Sequence, residues 1–262
     1  SQDRSNDGTA VMIADHTQDE HAAGHVAICV KNVHKAYRCG NTSTPVLNGV
    51  DLTVERGECV YLAGPSGSGK TTLLSILGCI LSADQGQIRI LDQDISGLSR
   101  HRCTTLRQRR LGFVFQRFHL IRGLTVIDNI CVPLTLRGTS PRAAKKRAQT
   151  LLDAVGLADK ANANPRNLSA GQCQRVALAR ALVGDPELIL ADEPTASLDA
   201  ANGQEVMKLL RHLTTEQHRA VVLVTHDHRI FPFADRILWL ENGQVAAMPE
   251  SPPSGTSVRE DG

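Results

Sequence analysis

Apolar residues in this chain fall into short alternating or continuous runs separated by helical patterns, and that rhythm predicts an α/β fold. Val26/Ile28/Val30 and Val50/Leu52/Val54 alternate with other residues, as half-buried strands do. Val60-Tyr61-Leu62-Ala63 is a short apolar run, followed by a Gly/Ser-rich segment and then a helical pattern from Thr72 to Leu77. Gln87 to Leu91 predicts a further strand, and Gly112 to Phe115 leads into a loop at Gln116. Residues 141–155 place Ala144, Ala148, Leu151, Leu152 and Val155 on one helical face, with Pro141 at its start and Ser140 as the expected cap. Leu188 to Ala191 and Val221 to Thr225 are almost continuously apolar, as central parallel strands buried on both faces are. Ile237 to Leu240, Asn242-Gly243 and Gln244 to Ala247 read as strand, turn and strand.

Strand–helix alternation of this kind predicts a mostly parallel sheet with an antiparallel β subdomain, plus an inserted α-helical subdomain at about 104–180. The folded domain is expected over 25–248. Residues 1–24 hold few large apolar side chains and read as a disordered tail, and 249–262 read as a flexible one.

Composition adds limits. At 262 residues the chain fits one ordinary domain with an inserted subdomain, and 41% hydrophobic residues suffice for a sizeable core. Aromatic content of 3% makes that core aliphatic. A net charge of +2 gives no global electrostatic reason to expect nucleic acid. The basic run from Arg100-His101-Arg102 to Arg107, Arg109 and Arg110 lacks interleaved aromatics and reads as a solvated helix face. Seven cysteines, at 29, 39, 59, 79, 103, 131 and 173, stand singly, without zinc spacing, and read as buried small hydrophobes in a reducing compartment. No stretch approaches the ~18 unbroken apolar residues that would span a bilayer, and the N-terminus lacks a signal-peptide pattern. The expectation is a cytosolic chain, or one held at a membrane by something else.

The chemistry concentrates in a few segments. Gly64-Pro65-Ser66-Gly67-Ser68-Gly69-Lys70-Thr71, followed by Thr72, is the G-x-x-x-x-G-K-[ST] phosphate loop, in its required place between a strand and a helix. Its backbone N–H groups and the helix N-terminus make a concavity for polyanionic phosphate. Lys70 is expected to reach the β- and γ-phosphates, and Thr71 to ligate Mg2+. The apolar strand Leu188 to Ala191 ends in Asp192-Glu193; Asp192 would hold Mg2+, and Glu193 would orient or deprotonate the attacking water. Asn167-Leu168-Ser169-Ala170-Gly171-Gln172 leads into a helical pattern, with Ser169 as its N-cap. Ser197-Leu198-Asp199 and Thr225-His226-Asp227 follow.

In order and spacing, residues 26–247 closely resemble the ATP-binding subunit of ATP-binding cassette (ABC) transporters. The resemblance implies a P-loop NTPase core. Leu168 to Gln172 then resembles the signature motif L-S-G-G-Q, with Ala170 in place of its first glycine. Gln116 resembles the Q-loop glutamine, a further Mg2+ ligand; Asp199 lies in the D-loop, His226 is the switch histidine, and Tyr37 resembles the adenine-stacking aromatic. It also implies a head-to-tail homodimer, with each Mg-ATP held between one phosphate loop and the other copy's Ser169–Gln172. If Ala170 simply opens the helix, its methyl is harmless; at a positive φ it would cost about 1 kcal/mol.

The run Arg117 to Val126, with Asp128-Asn129-Ile130 and Val132-Pro133-Leu134, looks like the branch of lipoprotein-releasing, macrolide-, peptide- and glycolipid-exporting and cell-division ATPases. There the permease is a separate chain or domain, and the ATPase sits peripherally on the cytoplasmic face of the membrane. Phe118, Leu120, Ile121 and Leu124 would suit a groove for a cytoplasmic helix of the permease, although some must pack inside the helical subdomain. Alternatives are a non-transport membrane complex of the cell-division type and a soluble ABC ATPase without a permease. Only about a hundred residues separate Lys70 from Ser169, with no sustained heptads, which disfavours a DNA-acting ATPase with a long coiled coil.

Overall fold

The computed structural model describes residues 25–40, 42–215 and 217–247. Both expected tails lie outside these residues. Two sheets and a helical layer share the core. The antiparallel sheet is built from β1 (Val26–Cys39), β2 (Thr42–Glu55), β4 (Gln85–Ile90) and β5 (Gln93–Asp94), in the order β2-β1-β4-β5. The larger sheet runs β10-β9-β3-β8-β7-β6. Its members are β3 (Cys59–Ala63), β6 (Leu111–Val114), β7 (Leu188–Asp192), β8 (Ala220–Val224), β9 (Arg236–Glu241) and β10 (Gln244–Ala247). All its pairings are parallel except β9 with β10, where Asn242 and Gly243 both adopt the positive φ that a two-residue hairpin turn needs.

Alternation along β3 explains the layering. Val60 and Leu62 face α1 (Lys70–Leu77), whose Leu73, Leu74, Ile76 and Leu77 also meet Ile28, Val30, Val50 and Ile88 of the antiparallel sheet. The phosphate-loop helix is thus clamped between two sheets, and each fully buried Leu or Ile contributes about 1.5–3 kcal/mol. Tyr61 points the other way, into a layer with Ile189, Leu223 and Met207. Met207 lies on α6 (Ala200–Thr215).

A third cluster unites α3 (Val126–Leu136), α4 (Pro141–Ala154) and α5 (Ala170–Leu182). The expected insertion at 104–180 contains a core element, because β6 pairs with β7 inside the large sheet; the helical layer begins after it. Four further differences stand out. Ser140 precedes α4 and Pro141 opens it, but the serine side chain makes no capping bond. The strand expected at 87–91 ends at Ile90, since Leu91 and Asp92 turn with positive φ toward β5. In α2 (Arg100–Arg110), Arg107 and Arg110 are half-buried: Arg107 donates to Cys79 O, and Arg110 pairs with Glu187. The basic run is therefore only partly a solvated face. Lastly, Cys39 is exposed and Cys29 and Cys103 are half-buried, so only four of the seven cysteines act as buried apolar residues.

Candidate active site

Gly69 ends the phosphate loop at φ 104°, a left-handed geometry that suits glycine, and a Cβ there would lie 2.8 Å from Val46 O. Lys70 then opens α1 and folds back over the loop. Its Nζ donates to Gly64 O at 2.9 Å and Pro65 O at 2.7 Å, with Ser68 Oγ at 3.5 Å. Burial pushes its pKa down, while the Glu193 and Asp192 carboxylates oppose the shift.

β7 delivers the two carboxylates beside the loop. Thr71 Oγ1 donates to Asp192 Oδ1 at 3.4 Å. Burial raises the Asp192 pKa and the neighbouring Glu193 raises it further, against the pull of Thr71 and Lys70. Glu193 sits just past the strand at φ 47°, with its N–H bonded to Val224 O at 2.9 Å. Its Oε1 lies 2.6 Å from His226 Nδ1, and its Oε2 is buried without a protein partner. Thr225, fully buried, ties the histidine loop by accepting from Asp227 N at 2.9 Å.

A cavity of about 620 Å³ joins these groups. Tyr37, Val46, Gly64, Pro65, Ser66, Gly67, Gly69, Lys70, Thr71, Thr72, Glu193, Val224 and His226 line it. Tyr37 is half-exposed, with its OH 3.4 Å from Thr72 Oγ1. Ser68 and Asp192 stand behind the wall, joined to it through Lys70 and Thr71. Gln116, Ser169, Ala170, Gly171, Gln172 and Asp199 do not line it.

Those six form their own arrangement. Ser169 Oγ accepts from Gln172 N at 3.2 Å, and Gln172 Oε1 accepts from Ser169 N at 3.0 Å, a reciprocal capping box at the start of α5. Ala170 is the exposed first residue of the helix and does not have a positive φ. Gly171 is buried against the next element: a Cβ there would lie 2.8 Å from Asn202 Oδ1. Asn202 in turn donates from its backbone and side chain to Asp199 at 2.9 and 2.6 Å, which holds that carboxyl below the usual carboxylate range. Gln116 is exposed, and its carbonyl accepts from Ser197 Oγ at 3.4 Å. Asn202, Val46 and Thr195 escaped the sequence reading. The Asp-x-x-Asn spacing at the start of α6 signals the first; Val46 and Thr195, which donates to Asp227 Oδ2 at 3.3 Å, carry no local signal.

A family model described as ABC transporter matches residues 47–196. The chain belongs to the ABC transporter ATPase family. ATP is the nucleotide of that family. An uncharacterised ABC transporter ATP-binding protein of Mycobacterium bovis is 45% identical over 223 residues, covering 85% of this chain and 67% of the relative. The macrolide export ATP-binding/permease protein MacB of Bartonella quintana is 42% identical over 220 residues, 84% of this chain but 33% of MacB. The chain thus spans about a third of the MacB relatives it matches. Among solved structures, the ATP-binding cassette MJ0796, dimeric and bound to ADP and Pi, matches with a TM-score of 0.77 and 40% identity, over 83% of this chain and 96% of that one.

A second, apolar groove of about 420 Å³ lies on the helical side of this ABC domain, lined in part by Ile80, Phe113, Phe115, Pro133 and Leu136. Phe118, Leu120, Ile121 and Leu124 do not line it, and Leu120 packs into the helical layer. His119 does line it, because Arg180 of α5 donates to both Phe118 O and His119 O at 2.6 Å and draws the loop back.

Proposed function

We propose that this chain hydrolyses Mg-ATP as a head-to-tail homodimer and drives a permease that moves its cargo outward or extracts it from the membrane. One observation carries the reading: the cavity gathers the phosphate loop, Glu193 and His226, whereas Ser169–Gln172 and Asp199 stand apart from it. A lone chain leaves part of the γ-phosphate charge without donors, and a two-fold axis supplies them twice over. The cassette MJ0796, solved as a dimer bound to ADP and Pi, supports a dimeric ATPase.

In this scheme the loop amides of 64–69 and the α1 N-terminus cradle the phosphates, and Lys70 exchanges its carbonyl partners for phosphate oxygens. Thr71 and Asp192 would hold Mg2+; a hydroxyl and a carboxylate are the hard oxygen donors it prefers, and Gln116 would join them from the partly open loop. Bound there, the ion would neutralise phosphate charge. Glu193 Oε2, buried without a partner, is suited to orient the attacking water and take its proton, with His226 steadying Oε1. Tyr37 stacks on adenine. Ser169, Ala170, Gly171, Gln172 and Asp199 act on the nucleotide of the partner copy.

We take the ATPase domain to span 25–248. Among the described residues no helix is long and apolar enough to cross a membrane, so membrane attachment on the cytoplasmic face runs through the permease, seated in the apolar groove. Arg180 connects that groove to α5, the helix that Ser169 caps. The test is ATP hydrolysis against protein concentration, with and without detergent-extracted permease. A rate rising more steeply than linearly and stimulated by permease supports the reading; a linear, permease-independent rate refutes it.

A further inference from the structure

Two cysteines that stand singly in the sequence meet in the fold. Cys79 follows α1 in a left-handed conformation, φ 54°, with its side chain buried in the first core cluster. Cys103, near the start of α2, is half-buried and packs on the same cluster. Both line one small cavity of about 110 Å³ beside Ile76 and Leu98, and the Cys103 thiol adds to the upward shift of the Cys79 pKa. Arg107, one turn beyond Cys103, donates to Cys79 O at 2.5 Å and to Thr104 Oγ1 at 2.9 Å, fixing α2 against the segment that carries Cys79. Neither thiol lines the candidate active site.

We propose that Cys79 and Cys103 form a reversible oxidation site that takes a peroxide and closes to an intrachain disulfide. Cys103, the more accessible thiol, loses its proton and attacks a peroxide oxygen. An S–O bond forms, the O–O bond breaks, and the departing hydroxide takes up that proton as water. The Cys79 sulfur then attacks the Cys103 sulfur; the S–S bond forms as the S–OH bond breaks, and a second water leaves with the Cys79 proton. Two thiols give up two electrons and two protons, and the peroxide is reduced to two waters. Burial pushes the Cys79 thiol up to about 12, which disfavours its thiolate and leaves the first attack to Cys103; Cys79 follows only because the Cys103 sulfenic acid is held beside it. The bond would tie the end of the Lys70 helix to α2. On the docking reading above, it would also stiffen the groove wall made by Ile80 and Arg107.

The experiment uses the full chain carrying Cys39→Ser, which removes the exposed thiol, so it does not depend on ATP turnover or permease. After hydrogen peroxide, remaining thiols are alkylated in denaturant and peptides are mapped without reductant. The expected result is loss of both Cys79 and Cys103 from the alkylated pool, their appearance as one cross-linked peptide pair, and recovery with dithiothreitol. Adding Cys103→Ser should leave Cys79 alkylatable; adding Cys79→Ser should leave a Cys103 sulfenic acid that dimedone traps. Both cysteines remaining free, or Cys103 passing to sulfinic acid while Cys79 stays free, overturns the proposal.

Discussion

Glu193 and His226 meet at 2.6 Å, Oε1 to Nδ1, although 33 positions separate them in the chain. The parallel pairing of β7 with β8 brings their strand ends side by side, and the bond from Glu193 N to Val224 O pins the crossing. One carboxylate oxygen is therefore engaged, and the other is buried and unpaired. A buried acceptor in that state costs about 1–3 kcal/mol, a cost that an incoming water relieves.

From this geometry, Glu193→Gln should keep nucleotide binding and lose turnover by on the order of 10²–10⁴-fold, the usual scale for removing a general base. The variant should accumulate as a dimer in Mg-ATP. Size-exclusion chromatography alongside phosphate release checks both; a monomer that still hydrolyses ATP would remove Glu193 from the base role.

Asp192 supplies a prediction about pH. Its folded pKa is raised above the unfolded carboxylate value, chiefly by burial. The folded state therefore binds the proton more tightly, and stability falls as pH rises from the ordinary carboxylate range through the raised value. Asp192→Asn removes this penalty. The nucleotide-free variant should melt higher at neutral pH, by about 2–4 °C per kcal/mol relieved, while hydrolysis is lost. Thermal scans across pH decide it: an unchanged or lower Tm would mean that Asp192 stabilises the fold.

Ala170 and Gly171 should respond in opposite ways. Ala170 is an exposed helical residue without positive φ, so Ala170→Gly should alter turnover less than about twofold and cost at most about 1 kcal/mol of stability. A Cβ at Gly171 meets Asn202 at 2.8 Å, so Gly171→Ala should shift Asn202 and its hold on Asp199, at about 1–3 kcal/mol. Steady-state rates and melting curves for the pair test this; a several-fold gain from Ala170→Gly would show that the methyl obstructs the site.

Tyr37 is half-exposed on the cavity wall, and its OH contact at 3.4 Å is long. If its ring stacks on adenine, Tyr37→Ala should raise the KM for ATP about two- to tenfold, matching a stacking contribution of about 0.5–1.5 kcal/mol. Tyr37→Phe should restore it. Loss of affinity in both variants would assign the effect to the hydroxyl.

Much of this was legible because its causes are local. The continuous apolar runs became the central strands, Asn242-Gly243 became the hairpin turn, and Ser169 became the cap of α5. Contacts between distant segments were not legible. The length of β1 and β2 depends on their mutual pairing, which carries Tyr37 beyond the alternating apolar positions. The groove is walled by β6, α3 and the residue after Cys79, and no periodicity reveals that they converge. Cys79 and Cys103 are brought together by the packing of α2 against the end of α1, which leaves no spacing motif. Nor was the fold of Lys70 onto Gly64 O and Pro65 O legible; it reflects an ammonium that needs acceptors wherever it is buried.

The central claim is that each ATP is shared between two chains, and mixing two defective variants tests it most directly. Lys70→Ala breaks the phosphate loop, and Ser169→Arg blocks the α5 N-terminus; each alone should be inactive. Mixed, they form heterodimers in which one composite site has an intact loop and an intact Ser169, so turnover should reappear. Continued inactivity of the mixture, with heterodimers demonstrated, would contradict the shared site.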